Sequence, residues 1–119
     1  MITIYHNPRC SKSREGLALV EQFAGENGLP LTVVEYLKTP PDLAQLTTLH
    51  RQLGGGVRDM VRSNEEEYAA LNLEQADDDT LLRAVAAHPK LLQRPIVVYR
   101  NRAVIGRPTE CLAEFLQQA

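Results

Sequence analysis

Residues 2–14 read Ile2-Thr3-Ile4-Tyr5-His6-Asn7-Pro8-Arg9-Cys10-Ser11-Lys12-Ser13-Arg14. The first four of these residues predict a short strand, and from Ser11 to about Asn27 apolar residues recur at the spacing of a helix. One cysteine, Cys10, therefore stands at the turn from strand to helix, among cations and hydroxyl groups. A thiol in such surroundings is poised to lose its proton.

A second strand is predicted from Leu31 to Leu37, after a helix stop at Asn27-Gly28 and a break at Pro30. The two strands flank one helix, which makes a βαβ unit. Strands joined in this way run parallel, because the crossover helix returns the chain to the same end of the sheet.

The middle of the chain, residues 38–88, predicts a mainly helical insertion. Helices are predicted within it at about 39–53, 57–62, 65–71 and 77–88. Thr39-Pro40-Pro41-Asp42 fits the first helix start, with the Asp42 side chain reaching back toward the Thr39 amide. Gly54 ends that helix, since glycine readily adopts the conformation that terminates helices.

The last part of the chain predicts a hairpin and a helix. Pro95–Tyr99 and Ala103–Gly106 are the third and fourth strands, and Asn101 lies in the turn between them. Thr109 is predicted to cap the last helix. Its inward face holds Cys111, Leu112, Phe115 and Leu116. The order βαβ, helical block, ββα predicts an α/β protein with a thioredoxin-like fold, in which helices flank a mixed four-stranded sheet. We expect residues 1–119 to form a single domain.

Composition predicts an ordinary soluble domain. Hydrophobic residues make up 44% and charged residues 24% of the chain, and a net charge of −2 provides no basic field for nucleic acid or an anionic membrane. No apolar run approaches the roughly 20 residues that span a bilayer, and the N-terminus lacks the layout of a signal peptide. We therefore expect a cytoplasmic protein with neither nucleic acid nor membrane as a partner.

The turn that carries Cys10 predicts a reactive thiol. A free cysteine has a pKa of about 8.5 and is mostly protonated at neutral pH. Amides at the start of the helix favour a negative charge on Cys10, and nearby cations favour it further. These neighbouring groups are Arg9, Lys12, Arg14 and, at the strand end, His6. The alternative for His6 is a hydrogen-bonded loop residue with no effect on the thiol.

Ser13 stands where an oxidoreductase with a Cys-x-x-Cys motif has its second cysteine. An adduct formed on Cys10 therefore has no neighbouring thiol to resolve it, and the resolving thiol must be an external one such as glutathione, or Cys111. The pattern of the last helix puts Cys111 on the core face, where a free cysteine acts as a small buried hydrophobe. His50 and His88 have no partners at metal-ligand spacing, so no metal site is predicted.

Three arginines are candidates for binding an oxyanion. Arg94 and Arg107 each directly precede a proline, and Arg62 ends a short predicted helix. Proline restricts the residue before it to extended conformations, which gives the arginine stem a defined direction. Planar guanidinium groups donate paired hydrogen bonds to tetrahedral oxyanions. The alternative for each of the three is a solvated surface arginine.

Several blocks of the sequence together resemble a known family. They are Ile4-Tyr5-His6-Asn7-Pro8-Arg9-Cys10-Ser11-Lys12-Ser13-Arg14, Tyr36-Leu37 with Thr39-Pro40-Pro41, Val57-Arg58 with Val61-Arg62, His88-Pro89 with Leu91-Leu92 and Arg94-Pro95-Ile96-Val97-Val98, and Gly106-Arg107-Pro108. In order and spacing they resemble the glutaredoxin-coupled arsenate reductase (ArsC-like) family, and in particular its short bacterial YfgD-type branch. The combination of blocks is specific, although no single block would be.

The resemblance implies how the site works. Cys10 matches the nucleophile that attacks arsenate. Arg62, Arg94 and Arg107 match the arginines that hold the oxyanion and the thiol–arsenic adduct. The bond between Arg94 and Pro95 matches a cis-proline, which thioredoxin-like folds have beside the active site.

The resemblance also implies supporting residues and reductants. His6 matches a histidine that lowers the pKa of the thiol, and Ser13 matches a serine near the thiolate. Arsenate is then the substrate, glutathione attacks the adduct as a co-substrate while arsenic is reduced to arsenite, and glutaredoxin regenerates the system. No bound cofactor is implied.

Two other functions stay open at the level of sequence. A regulator of the same fold that binds RNA polymerase, as Spx-type relatives do, usually carries the Cys-x-x-Cys pair that Ser13 removes. A glutathione-dependent thiol oxidoreductase with another substrate would need Cys10 but not Arg94. The better-studied plasmid-type members of the family have Gly-Thr-Ser after the cysteine. The charge of Lys12 in this chain could therefore change the preferred oxyanion.

Overall fold

The computed structural model describes residues 1–118 and shows strands and helices in the predicted order. The strands are β1 (Ile2–His6), β2 (Leu31–Glu35), β3 (Ile96–Tyr99) and β4 (Arg102–Ile105). The α-helices are α1 (Ser11–Glu26), α2 (Leu43–Leu53), α3 (Glu66–Ala70), α4 (Asp78–Ala87) and α5 (Glu110–Gln118). Short 3-10 helices lie at Val57–Met60, Leu73–Gln75 and Pro89–Leu91. None of the helices within residues 1–118 is both long and apolar enough to cross a membrane.

The strands form one mixed sheet in the order β2-β1-β3-β4. β1 runs parallel to β2, with His6 beside Glu35, and antiparallel to β3, with Ile2 opposite Tyr99. β3 and β4 are antiparallel, and their turn, Arg100-Asn101, has positive φ at both positions, as a type I′ hairpin requires. This mixed four-stranded sheet flanked by helices confirms the predicted fold class.

The chain divides into two compact units, one of Met1–Thr39 with the segment from Arg94 onward, and one of Pro40–Gln93. In the first unit α1 and α5 pack against each other and against the sheet. Their shared core consists of Ile2, Ile4, Val20, Ala24, Val97, Tyr99, Leu112, Phe115 and Leu116. That residues 1–119 behave as a single domain stays a prediction.

Two glycines allow a close approach at the start of β3. A Cβ atom at Gly16 of α1 would lie 2.8 Å from Pro95 Cγ and 3.2 Å from Leu112 Cδ1. A Cβ atom at Gly106 would lie 2.9 Å from Leu112 Cδ1 and 3.0 Å from Pro95 Cγ. Interiors packed this densely have no room for an added methyl group, so both positions favour glycine. The approach packs Pro95, and with it the backbone of Arg94, against α1.

The second unit is helical, and α2 packs against α4 within it. Asp42 caps α2 by accepting the Gln45 amide, and the Gln45 side chain accepts the Asp42 amide in return. Gly54 ends this helix with a φ of 77°. The Arg58 guanidinium ties the next loop together, because it donates to the Tyr68 hydroxyl and to three carbonyl groups between residues 73 and 76.

Two predicted boundaries around the start of the insertion are wrong. β2 ends at Glu35 rather than at Leu37, because the amides of Lys38 and Thr39 turn back and donate to the Glu35 carbonyl. The helix cap is also misplaced in the prediction. Asp42 caps α2 with its own side chain instead of reaching back to Thr39, so the two prolines precede the helix and do not begin it.

The last helix differs from its prediction at two residues. Thr109 directly precedes α5, but its buried hydroxyl oxygen has no hydrogen-bond partner among the described residues, so it does not act as a side-chain cap. Cys111 is only half-buried and is not part of the core, because its thiol turns to the Ile105 carbonyl, 3.2 Å from the sulfur. The other three inward residues are buried as predicted.

Candidate active site

A tight loop after β1 positions Cys10 at the start of α1. The Cys10 amide donates to the Asn7 carbonyl at 3.0 Å, and the Arg9 amide donates to Asn7 Oδ1 at 3.0 Å. The bond from the Arg9 amide to the Asn7 side chain forms an Asx turn, and Asn7 itself is buried. Arg14 adds a further tie by donating to the Pro8 carbonyl at 2.9 Å. Asn7 is not among the predicted site residues, although Asn-Pro is a known turn signal in a sequence.

The Cys10 thiol lies where a negative charge is favoured. Cys10 precedes the first turn of α1 in an extended conformation and is half-buried. Burial raises the pKa of the thiol. The backbone amides of Ser13 and Lys12 and the Arg94 guanidinium outweigh this effect and hold the pKa below its ordinary value. The thiolate that they favour is the nucleophilic form of cysteine.

Arg94 and Arg107 meet at this thiol. Arg107 Nη2 lies 3.5 Å from Cys10 Sγ, and Arg107 Nε donates to the Arg94 carbonyl at 2.7 Å. Burial works against the charge of Arg94, but its hydrogen bond with Cys10 raises the pKa of the guanidinium. The peptide bond to Pro95 is cis, as expected, and so is the bond from Arg107 to Pro108. Two guanidinium groups beside one sulfur provide donors for a tetrahedral oxyanion.

Tyr36 is a site residue that the sequence analysis missed. Its side chain is fully buried directly after β2, and it interacts with the Arg94 guanidinium. This interaction adds to the groups that favour the charged form of Arg94. The sequence predicts Tyr36 inside the second strand, where an aromatic residue is ordinary. The available signal was chemical, because a buried tyrosine hydroxyl needs a polar partner.

His6 and Ser13 form a buried pair at the base of the loop. His6 Nδ1 lies 2.7 Å from Ser13 Oγ, which also accepts the Asn7 amide at 3.0 Å. Burial lowers the pKa of His6, although the charge of Glu35 acts in the opposite direction. His6 thus contacts the side chain of Ser13, while the backbone amide of Ser13 donates to the Cys10 thiol.

Arg62 lies in the second unit. Its Nε pairs with Glu65 Oε1 at 3.2 Å, and only 13% of its side chain is exposed. Its amide donates to the Leu91 carbonyl at 2.7 Å, which holds the backbone in place. The structure brings Arg94 and Arg107 to Cys10 within the first unit. The part of Arg62 in the same site stays a prediction.

Lys12 and Cys111 have other partners. Lys12 Nζ lies 3.5 Å from Glu15 Oε2 on the surface, and the backbone amide of Lys12 favours the Cys10 thiolate. Burial raises the pKa of Cys111, an effect that the Arg107 amide opposes and two glutamates of α5 reinforce. Across residues 1–118, no group of three or more His, Cys, Asp or Glu side chains could hold a metal ion.

Comparison with known proteins gives these features a family context. The sequence profile of the ArsC family matches residues 5–115. An arsenate reductase from Neisseria meningitidis is 48% identical over 112 residues, which cover 92% of each chain. The protein YfgD from Escherichia coli K12 is 45% identical over 118 residues, or 97% of this chain and 96% of YfgD. The solved structure of an arsenate reductase from Vibrio cholerae is similar with a TM-score of 0.86 and 49% identity, over 95% of both chains.

The strand order, the cysteine at the first turn of α1 and the cis-proline before β3 together define a thioredoxin-like protein. Within this class, the profile match and the relatives near half identity determine the family, because they span almost the whole chain. The chain belongs to the ArsC family, and the resemblance read from its sequence blocks is confirmed.

Proposed function

We propose that this protein is an arsenate reductase whose nucleophile is the Cys10 thiolate. The observation that carries the proposal is the contact of the Cys10 thiol with the guanidinium groups of Arg94 and Arg107. This contact joins a nucleophile to a binding site for a tetrahedral oxyanion. Relatives near half identity that are named arsenate reductase support arsenate as that oxyanion.

In the first step the Cys10 sulfur attacks arsenic, a sulfur–arsenic bond forms, and hydroxide leaves as water after taking up a proton. Arg94 and Arg107 neutralise the charge that builds up on the arsenate oxygens. Arg62 is proposed as the third arginine of this group because it matches an oxyanion-binding arginine of the family. Electrostatic stabilisation of this kind is usually the largest contribution in such sites. His6 has a supporting role, since its hydrogen bond orients Ser13.

Glutathione supplies the electrons in the second step. Its thiolate attacks the Cys10 sulfur, a disulfide forms between the two sulfurs, and the electron pair of the sulfur–arsenic bond stays on arsenic, which leaves as arsenite. Arsenic gains two electrons, and the two sulfurs together lose two as they form the disulfide. Glutaredoxin then takes the glutathione from Cys10 by thiol–disulfide exchange and restores the thiolate.

The external reductants follow from the residues around the thiol. Ser13 occupies the position of a second cysteine, and the Cys111 thiol is engaged with the Ile105 carbonyl. Both electrons come from thiols, so the reaction needs no bound cofactor. Glutathione and glutaredoxin operate in reducing compartments, which makes the cytoplasm the proposed location.

The test is arsenate-dependent oxidation of NADPH, coupled through glutathione, glutathione reductase and glutaredoxin. Wild type should consume NADPH only with arsenate present, and Cys10→Ser should be inactive. Arg107→Ala and Arg62→Ala should each lose on the order of 10²-fold in kcat/KM, as expected when a donor to a charged transition state is removed. Arg83→Ala is the matched control and should keep wild-type activity, because it removes only an exposed ion pair with Asp79.

A wild-type protein that oxidises no NADPH with arsenate would contradict the proposal. Reduction of glutathione mixed disulfides that persists in Arg94→Ala, without arsenate turnover, would point to a thiol oxidoreductase with another substrate. Capture of RNA polymerase without arsenate turnover would point to a redox regulator.

A further inference from the structure

A cavity of about 260 Å³ lies beside the loop that carries Cys10. Residues 6–9 line it together with Glu35, Leu37 and Lys38. The cavity lies beyond the carboxyl ends of the parallel strands β1 and β2, which end in register. Ligands of α/β sheets commonly bind at this edge, where loops replace the strands.

The cavity carries charges of both signs at a short spacing. Lys38 Nζ lies 3.5 Å from Glu35 Oε1, and the two side chains are 78% and 40% exposed. An ion pair this exposed contributes little to stability, so each partner can exchange the other for a ligand group. Arg9, the chain neighbour of Cys10, adds a second cation to the lining, and Leu37 adds an apolar surface.

We infer that this cavity binds the γ-glutamyl end of glutathione and thereby presents the glutathione thiol to Cys10. The inference rests on the proposed function, which needs glutathione as the second substrate. The γ-glutamyl end carries an ammonium and a carboxylate on one carbon atom, so a single head group can pair with Glu35 and Lys38 together. The glycine carboxylate at the other end of the peptide is a partner for Arg9.

The overall charges and the size are also complementary. Glutathione carries two carboxylates and one ammonium group, whereas the cavity offers two cations and one carboxylate. A volume of about 260 Å³ falls just below the range of roughly 300–1,000 Å³ that drug-sized ligands occupy. The cavity therefore fits the head group of the tripeptide and leaves its cysteine outside.

The cavity and the oxyanion site use different residues. Among the described residues, the lining of the cavity includes neither Arg94 nor Arg107, which lie at the Cys10 sulfur. Bound glutathione consequently does not compete with arsenate for these guanidinium groups. The arsenic adduct on Cys10 and the incoming thiol can be present at once, as the second step requires.

Titration of the reduced protein with S-methylglutathione tests the inference without arsenate. Backbone amide NMR signals of residues 6–9 and 35–38 should shift on binding. Lys38→Glu should weaken binding by roughly three- to tenfold, because it replaces an attractive charge by a repulsive one. Arg83→Glu makes the same charge change at an exposed ion pair of the second unit and should bind like wild type.

The coupled assay provides a second measurement on the complete reaction. Lys38→Glu should raise the KM for glutathione by a similar factor, and by more than it raises the KM for arsenate. Signals that shift elsewhere, or equal affinities of Lys38→Glu and Arg83→Glu, would overturn the inference, and arsenate turnover by wild type would then leave the proposed function standing. Binding in the cavity by a protein that reduces no arsenate would uphold the site and overturn the function.

Discussion

Cys10 owes its acidity to groups from several parts of the chain. The amides of Lys12 and Ser13 belong to its own helix turn, whereas the Arg94 guanidinium comes from the far end of the sequence. Burial opposes all of them, because a charge is less favoured where water is excluded. The lowered pKa of the thiol therefore depends on the turn and on Arg94 together, and Arg107 contacts the same sulfur.

Arg94→Ala should raise the pKa of Cys10, since it removes a hydrogen bond and a positive charge that favour the thiolate. The rate of alkylation by iodoacetamide, followed against pH, measures this pKa directly. In the coupled assay the same variant should lose on the order of 10²-fold in kcat/KM for arsenate. Arg83→Ala is the control, and an alkylation profile of Arg94→Ala that matches it would contradict the contact.

His6 predicts a pH dependence of stability. Its pKa in the folded protein lies below the ordinary value of 6.5, mainly because it is buried. Below pH 6.5 the unfolded chain therefore binds a proton that the folded protein resists, and the free energy of unfolding falls as the pH drops toward the folded pKa. His6→Gln lacks this titration. Its urea midpoint should change less than that of wild type between about pH 7.5 and about pH 5.5, and parallel changes would count against the buried neutral histidine.

The elements bring the site residues to one edge of the sheet. β1 and β2 are parallel and end there, leading to Cys10 and Tyr36. β3 is antiparallel to β1, so its beginning, after Arg94, lies at the same edge. β4 reverses direction again and ends there, just before Arg107. Strand directions alone thus account for the meeting of residues that are almost one hundred positions apart.

Packing of α1 on the start of β3 gives a prediction about Gly16. Gly16→Ala should lower the free energy of unfolding by about 1–3 kcal/mol, because the new Cβ would lie 2.8 Å from Pro95 Cγ and force repacking. Gly25→Ala in the same helix has nothing within 4 Å of its Cβ. It should raise the free energy of unfolding by up to about 1 kcal/mol, since alanine is the better helix former. Urea unfolding measures both, and equal stabilities would contradict the packing.

The whole molecule is predicted to unfold as one cooperative domain. The chain contains no tryptophan, so a single introduced tryptophan reports on its own unit. Phe23→Trp probes the first unit, where Phe23 packs edge-on against Tyr99, and Leu71→Trp probes the second at a side chain that is 45% exposed. Their urea midpoints should coincide. Two separate midpoints would show that Pro40–Gln93 unfolds on its own.

Signals that lie close together along the chain predicted most of the fold. Periodicity identified α1 and the strands, Asn101 marked the hairpin, and the resemblance of short blocks pointed to Cys10, Arg94 and Arg107. These features could be predicted because helix spacing, strand alternation and turn residues act over a few neighbouring positions.

Contacts between distant segments were beyond such signals. The burial of Tyr36 against Arg94 and the space that Gly16 leaves for Pro95 depend on which segments meet at the sheet edge. Helix spacing predicts Cys111 on the core face of the last helix. It cannot predict that the thiol contacts the Ile105 carbonyl instead, because that acceptor lies on another segment. The sequence alone thus predicted a reactive thiol at Cys10 and the turn that carries it, because both depend on local chemistry. Only the tertiary structure decided which distant groups contact the Cys10 thiol, namely Arg94 and Arg107. The reason is that hydrogen bonds and close packing depend on distance in space and not on distance along the sequence.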